Sequence, residues 1–365
     1  MDQHPLFVRR SRGWVPQSIP LKGTKETILA LGAEQNNVFA IYKNGRAILS
    51  PHVGNTSNPD TLSRFGNEVE SFLAFTDTIP QIILVDAHSG YATYSYGEKL
   101  ASQLSVPLRK IYHRSAHAYS VAGENNLEQF SAIVCDGMGL GEDGTIWGGE
   151  VFHQGKRVGH LEQHALLGGD AATKHPSRML FSILQSFLSE AELEKQFKGV
   201  FSSTDLSVLK KQLVGRFNSP LTSSTGRVLD AASYLLGFCD ERTYDGRPAM
   251  VLESHSTIPY KLEPIIEKNV LCTSPLFEYL VNNIHQDKKR LGATVQYYLA
   301  EGLLELLQRD DLPVVFSGGC AYNRIMSTYL KQKGVLLNQY VPSGDGGIAF
   351  GQLAYHLANT RGQDP

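Results

Sequence analysis

Cysteine is scarce in this chain. Four are present among 365 residues, at 135, 239, 272 and 320, and none forms a CxxC pair. That spacing offers no zinc ribbon or dithiol redox motif and reads as reduced, mostly buried thiols in a reducing compartment. Long apolar runs are missing too. None approaches the ~20 residues that span a bilayer. The opening MDQHPLFVRRSRGW has no apolar core fit for a signal peptide. The predicted location is the cytoplasm, with no membrane partner. Charge of one sign is also lacking: 34 Lys and Arg face 36 Asp and Glu, a formal net charge of −2. Such a balance argues against bulk nucleic-acid binding. The basic spots at 210–211 and 288–290 are short and read as solvated helix faces. There is no GxxxxGK[ST] and no GxGxxG between a strand and a helix, so neither a P-loop nor a dinucleotide fold is supported.

Glycine, by contrast, is concentrated. In AIVCDGMGLGEDGTIWGGE (132–150) an apolar run ends on Asp136, and Gly occupies 137, 139, 141, 144, 148 and 149. The spacing predicts a buried strand that stops on a carboxylate and opens into Gly-rich chain. Backbone N–H groups can approach an anion closely there, because glycine has no Cβ. A carboxylate so placed either holds a cation or manages phosphate.

The length allows two lobes, each with its own core. The first 25 residues carry RRSRG and two prolines without periodicity and read as a linker or tail. Residues 27–31, 38–42 and 47–50 then read as strands, the last two joined by an Asn44-Gly45 hairpin turn. A helix is predicted at 60–76, and QIILV (81–85) is a buried strand ending on Asp86. From Ala132 the scheme repeats, with a second strand near 147–152, a turn at Gln154-Gly155 and a strand through Val158. This repetition predicts a duplicated α/β architecture: one lobe at 26–130, another at 131–365, with a helical insertion at about 170–225. Within it, Met179, Leu180, Ile183, Leu184, Phe187 and Leu188 keep helical spacing. Residues 226–238 and 262–308 are predicted helical, 313–316 a strand, and 347–358 the last helix.

His113 and His117 stand four apart in YHRSAHAYS. On a helix both imidazoles share one face, the geometry of H-x-x-x-H metal sites. Asp136 follows within about twenty residues at a strand end, and Asp345 lies in a GDGG turn before the final helix. Two imidazoles and two carboxylates complete a site for a borderline divalent ion, Fe²⁺ or Zn²⁺. Asp345 also fits an N-cap, and the two roles are compatible. Three further turns, Ser317-Gly318-Gly319, Leu167-Gly168-Gly169-Asp170 and Tyr244-Asp245-Gly246, are expected to face phosphates of a nucleotide.

Together these motifs resemble the C-terminal carbamoyltransferase module of the HypF family of hydrogenase-maturation proteins. That module is similar to the Kae1/TsaD group of the actin/Hsp70/sugar-kinase superfamily. The segments that carry the resemblance include GAEQNNVF (32–39), VDAHSGY (85–91), HRSAH (113–117), DGMGLGEDGTIWGGE (136–150) and GGDAATKHPSRM (168–179). NSPLTSSTGRVLDAASYLLG (218–237), YDGRPAMVLE (244–253), FSGGCAYNR (316–324) and VPSGDGGIAFGQ (341–352) complete them. The resemblance implies a two-lobed fold and a metal site at His113, His117, Asp136 and Asp345. It implies that Asp230 and Glu253 hold the ribose hydroxyls. Gly168, Gly169, Gly246, Gly318, Gly319, Asn323 and Gly346 would line a site for ATP or carbamoyl-adenylate, with Mg²⁺. It implies transfer of a carbamoyl group from carbamoyl-adenylate to the C-terminal cysteine of HypE, on the way to the cyanide ligand of the NiFe centre.

The sequence departs from the family at several points. HRSAH stands for the usual HHHAH, EQNNV for ELKNT, GDGG for NDGG, and YDGRPA for YEGQAA. The acylphosphatase, zinc-finger and YrdC-like domains are not in this sequence, and RRSRG resembles the end of a YrdC-like domain. The expectation is a fragment or a shortened form that takes its adenylate from a separate adenylating YrdC-like protein or domain. The alternatives are an O-carbamoyltransferase of the NodU/TobZ type, a threonylcarbamoyl transferase on tRNA, or a non-catalytic ATP-binding scaffold that docks HypE.

Overall fold

A computed structural model describes residues 8, 9, 14–307 and 311–360. In chain order it begins with strands β1 (Gln17–Pro20), β2 (Ile28–Ala30), β3 (Ala40–Lys43) and β4 (Arg46–Leu49) and helix α1 (Pro59–Phe75). Next come β5 (Ile82–Asp86), α2 (Ala92–Leu104), β6 (Leu108–Ile111), α3 (His113–Glu124) and β7 (Ser131–Leu140). Then follow β8 (Ile146–His153), β9 (Lys156–Leu161), β10 (His164–Ala165), α4 (Asp170–Lys174), α5 (Pro176–Leu184), α6 (Glu190–Gln196), α7 (Ser203–Gly215) and β11 (Leu221–Thr222). The remainder is α8 (Thr225–Leu235), α9 (Arg247–His255), β12 (Ile266–Glu267), β13 (Val270–Leu271), α10 (Ser274–Asn282), α11 (Lys288–Glu305), β14 (Val314–Ser317), α12 (Arg324–Gln332), β15 (Leu336–Leu337) and α13 (Ile348–Thr360). One-turn 3₁₀ segments at Gly319–Tyr322 and Asp345–Gly347 precede α12 and α13. Among the described residues, no helix is long and apolar enough to cross a membrane.

The chain divides into two compact units. The first comprises the chain up to Val134, Asp311–Tyr322 and the chain from Val335; the second comprises Cys135–Asp310 and Asn323–Gly334. In the first unit a sheet runs in the order β1-β4-β3-β2-β5-β6. Its parallel strands β2 and β5 are buried on both faces, while β6, parallel to β5 at the sheet edge, exposes Arg109 and Lys110. Ile28, Ala30, Ile82 and Leu84 pack with Ala116 of α3 and with Ile348, Phe350 and Leu353 of α13. The alternate residues Leu29, Leu31, Ile83 and Val85 pack with Phe65 and Val69 of α1 and Tyr94 of α2. Burying a side chain such as Phe65 contributes about 1.5–3 kcal/mol. Asn58 starts α1 by accepting from the N–H groups of Asp60 and Thr61, with Pro59 at the first helical position.

Asn44 and Gly45 close the β3–β4 hairpin at φ 52° and 75°, the left-handed pair that two-residue hairpins need. Gln154 and Gly155 do the same for β8–β9 at φ 48° and 77°. Two readings are corrected. Four residues of the opening stretch form β1, antiparallel to β4. Only Ile19 of these is buried, so an edge strand left no pattern to read; of RRSRG, residues 10–13 lie outside the described residues. The stretch 262–308 is not continuously helical. Lys268 and Asn269, at φ 50° and 67°, turn β12 into β13, and no glycine marked that turn.

In the second unit, β7 is followed in sheet order by β8, β9, β13 and β12. α5 packs on α8, and α11 on α12. The helices between 170 and 215 include two with capping boxes, Ser189 with Glu192 and Ser202 with Asp205.

Candidate functional site

α3 begins at His113, so His113 and His117 lie one turn apart on a helix, as their spacing predicted. Both are buried. His113 Nδ1 lies 2.7 Å from Asp86 Oδ2, at the end of β5. A carboxylate only accepts, so Nδ1 carries a proton and Nε2 is the ring atom left to ligate. That Nε2 stands 3.1 Å from His117 Nε2 and 3.5 Å from Asp345 Oδ1. His117 Nε2 is 3.8 Å from the same oxygen. Asp136 joins the group: one ligand atom from each of His113, His117, Asp136 and Asp345 lies within 4.8 Å of the others.

Two imidazole nitrogens and two carboxylate oxygens suit a first-row divalent ion. Ligand atoms at about 2.0–2.2 Å from such an ion stand roughly 3.3–3.6 Å apart on a tetrahedron. The observed separations bracket that spacing, so the residues fit a metal. Asp86 was missed as part of the site. Its signal is the apolar run 81–85 closing on an acid, the same pattern that 132–136 carries.

The Gly-rich segment differs from its reading. β7 does not stop at Asp136 but runs through Gly137 and Gly139 to Leu140. Gly139, Gly148 and Gly149 lie against neighbouring backbone. A Cβ on Gly148 would lie 2.5 Å from Asp136 O, and one on Gly226 would lie 3.1 Å from Gly137 Cα. Ser224, which caps α8, donates to Asp136 O and Gly137 O at 3.0 and 2.7 Å. The backbone around Asp136 is therefore held by β8 and by the start of α8. The turn proper lies at 141–145, where Asp143 Oδ1 accepts from Thr145 N at 3.0 Å and from Trp147 Nε1 at 2.9 Å.

The predicted nucleotide residues fall in both units. In the first, Gly318 at φ 103° follows β14 and donates to Ser343 O at 3.1 Å. Gly319 opens the 3₁₀ turn after it, and Gly346 lies in the 3₁₀ turn that contains Asp345. The helix expected directly after Gly319 starts only at Arg324. Its N-terminus is already capped by Asn323, which accepts from Met326 N at 3.0 Å. In the second unit, Gly168 and Gly169 at φ 86° and 57° turn against Asn218, whose carbonyl accepts from Gly168 N at 2.8 Å. Gly246 starts α9 at φ 75°.

Asp230 is buried on α8 and pairs with Arg227 at 2.9 Å. Burial pushes its carboxyl up, against the pull of Arg227 and Arg242. Glu253 on α9 is 3.8 Å from Arg324 Nε. Burial pushes it up as well, opposed by Arg324. Asn323 Nδ2 donates to Gln296 Oε1 at 2.7 Å, so its side chain is engaged at both ends.

Known proteins are similar to this chain in sequence and architecture. The model of the HypF Kae1-like domain matches residues 23–124. The model described as carbamoyltransferase, Kae1-like domain, second subdomain, matches 132–352. The "probable carbamoyltransferase HypF" of Methanocaldococcus jannaschii is 38% identical over 382 residues, covering 97% of this chain and 50% of that relative. The crystal structure of HypF from T. kodakarensis superposes with a TM-score of 0.90 at 31% identity, over 98% of this chain and 50% of that one. A full-length HypF in a phosphate- and nucleotide-bound form gives 0.88 at 28% identity, again over 98% and 50%. The chain thus spans about half the length of these proteins.

Proposed function

This chain belongs to the HypF carbamoyltransferase family through its Kae1-like domain, and we propose that it carries out the transfer half of carbamoyl chemistry in hydrogenase maturation. The observation that supports this best is the cluster of His113, His117, Asp136 and Asp345, with Asp86 fixing the tautomer of His113. These four residues would hold a divalent ion, Fe²⁺ or Zn²⁺. Such an ion supplies Lewis-acid polarisation of a carbonyl oxygen.

The other residues bind and orient the donor. We assign the ribose hydroxyls of carbamoyl-adenylate to Asp230 and Glu253. The backbone at Gly168, Gly169, Gly246, Gly318, Gly319 and Gly346, together with Asn323, is assigned to the rest of the nucleotide. That a HypF relative has been solved with phosphate and nucleotide supports a nucleotide here. Mg²⁺ would accompany ATP. The acceptor is the C-terminal thiolate of HypE. Its sulfur forms a bond to the carbamoyl carbon, the bond from that carbon to the phosphate oxygen breaks, and AMP leaves. A YrdC-like protein or domain would supply the adenylate.

The test is mass spectrometry of HypE after incubation with the chain. Supplied carbamoyl-adenylate should add about 43 daltons, one carbamoyl group in place of a hydrogen. Carbamoyl phosphate with ATP should add nothing until a YrdC-like protein is included. Efficient modification from carbamoyl phosphate and ATP by the chain alone would reject this division of labour.

A further inference from the structure

We propose that Glu124 is a positioning residue for the metal centre, clamping the strap of chain that presents Asp345. The proposal deepens the metal reading above and rests on it. Glu124 is the last residue of α3, the helix that begins with His113 and carries His117. Its Oε2 accepts from Gln339 N at 2.7 Å, and its Oε1 accepts from Tyr340 N at 3.0 Å and Val341 N at 2.5 Å. Three consecutive backbone donors thus converge on one carboxylate.

The strap has no ladder partners of its own. β15 ends at Leu337, and residues 338–344 belong to no helix or strand. Backbone N–H groups outside regular structure pair with side chains or water, and a side-chain acceptor fixes the chain where water would not. Glu124 supplies that acceptor for three residues in a row, the last of them four positions before Asp345.

A second tie lies one turn back on the same helix. Asn338 Nδ2 donates to Ser120 Oγ at 2.9 Å, and Ser120 Oγ donates to His117 O at 2.7 Å. Asn338 Oδ1 also accepts from Ser317 Oγ at 3.1 Å. Downstream of Asp345 the chain enters α13, which lies against α3 with almost no gap. A Cβ on Gly351 would sit 1.8 Å from Ala116 O, and one on Gly123 would sit 2.7 Å from Ala354 Cβ. Asp345 is therefore bracketed. α3 holds the chain before it through Ser120 and Glu124, and the chain after it through close helix packing. One helix carries both histidines and fixes the third ligand against them. Residues that orient a ligand in this way govern metal affinity without touching the metal.

The test uses the full chain with Zn²⁺ alone as probe, titrated against a chromophoric chelator, alongside amide hydrogen exchange of 339–341 in the metal-free protein. Glu124→Ala should speed exchange at these amides by about tenfold or more. It should weaken Zn²⁺ binding roughly 10- to 100-fold. Glu124→Gln should fall between, because its one carbonyl oxygen still accepts two of the three N–H groups; it decides the matter should Glu124→Ala fail to fold. Val69→Ala, a core truncation on α1, should lose stability yet keep the parent's Zn²⁺ affinity. Unchanged exchange, or unchanged Zn²⁺ affinity in both Glu124 variants of a parent that binds Zn²⁺, overturns the proposal alone. Equal weakening in Val69→Ala also overturns it, by making the effect one of general stability. A parent that binds no metal overturns the metal reading and this proposal with it.

Discussion

β5 and β7 look alike as sequence. Each is a run of buried apolar residues reaching an aspartate, IILVD in one and AIVCD in the other. The structure gives the two acids different work. Asp86 is 1% exposed and ends its strand. One of its oxygens faces His113 Nδ1, and the other accepts from His88 N at 3.0 Å. Asp136 lies inside its strand, half-buried, with its carboxylate among the candidate ligands. The difference comes from the residues just after each acid. After Asp86 the chain turns, so the carboxylate caps that turn and orients a histidine. After Asp136 the strand runs on through Gly137 and Gly139, and a Cβ on Gly139 would lie 3.2 Å from Trp147 O. An acid at the end of an apolar run marks a site without saying whether it binds the metal or aims another ligand.

The contrast breaks most clearly at the ligands. His117→Ala and Asp136→Ala each remove one of four donors, and either should strip most of the roughly one equivalent of divalent metal expected on the parent. Elemental analysis of purified variants measures this. Metal content equal to the parent's in either variant would take that residue out of the site. Asp86→Asn should act more mildly. Asparagine still accepts from His113 Nδ1 but supplies no charge, so metal should stay bound with affinity reduced about 10- to 100-fold. Chelator competition would show it. Loss as complete as in Asp136→Ala would erase the distinction between the two strands.

A third buried acid extends the comparison to the nucleotide. Asp230 faces Arg227 within one helix, yet it is assigned to ribose hydroxyls. Each charge-assisted hydrogen bond is worth about 1.5–3 kcal/mol, so Asp230→Ala should weaken ATP by about 10- to 100-fold. Calorimetry returning the parent's affinity would leave Asp230 a structural partner of Arg227 alone.

Much of this was legible in the chain because the signals were local. The hairpin turns at Asn44-Gly45 and Gln154-Gly155 and the one-turn spacing of His113 and His117 each depend on residues adjacent in sequence. What escaped depends on residues far apart. β1 is a strand because β4 lies beside it. Gly137 and Gly139 read as an anion loop until Gly148 and Gly226 showed what presses against that backbone. Asp86 acquires its role from His113, 27 residues on. Glu124 acquires its role from amides more than two hundred residues away. The Lys268-Asn269 turn was local but used no glycine, and a single asparagine was its whole signal.

The smallest effect separates two kinds of buried histidine. His113 has a carboxylate oxygen 2.7 Å from Nδ1. His164 Nε2 instead lies 2.7 Å from Thr273 Oγ1, and Glu162 stands off at 3.9 Å. Burial holds the His164 imidazole below its ordinary pKa, although Glu162 pulls the other way. Burial also lowers His52 and His356. The sign follows from proton counting. The unfolded chain takes up protons at these sites near the ordinary histidine pKa of about 6.5, while the folded chain resists. Their contribution to stability is therefore full above that pH and is lost as pH falls below it. Thermal melts should show a lower Tm at pH 5.5 than at pH 7.5. His164→Gln keeps a polar partner for Thr273 but cannot titrate, so it should shrink that difference. A variant whose Tm falls with pH as steeply as the parent's would show that His164 does not carry its share, and would leave the slope to His52, His356 and the carboxylates.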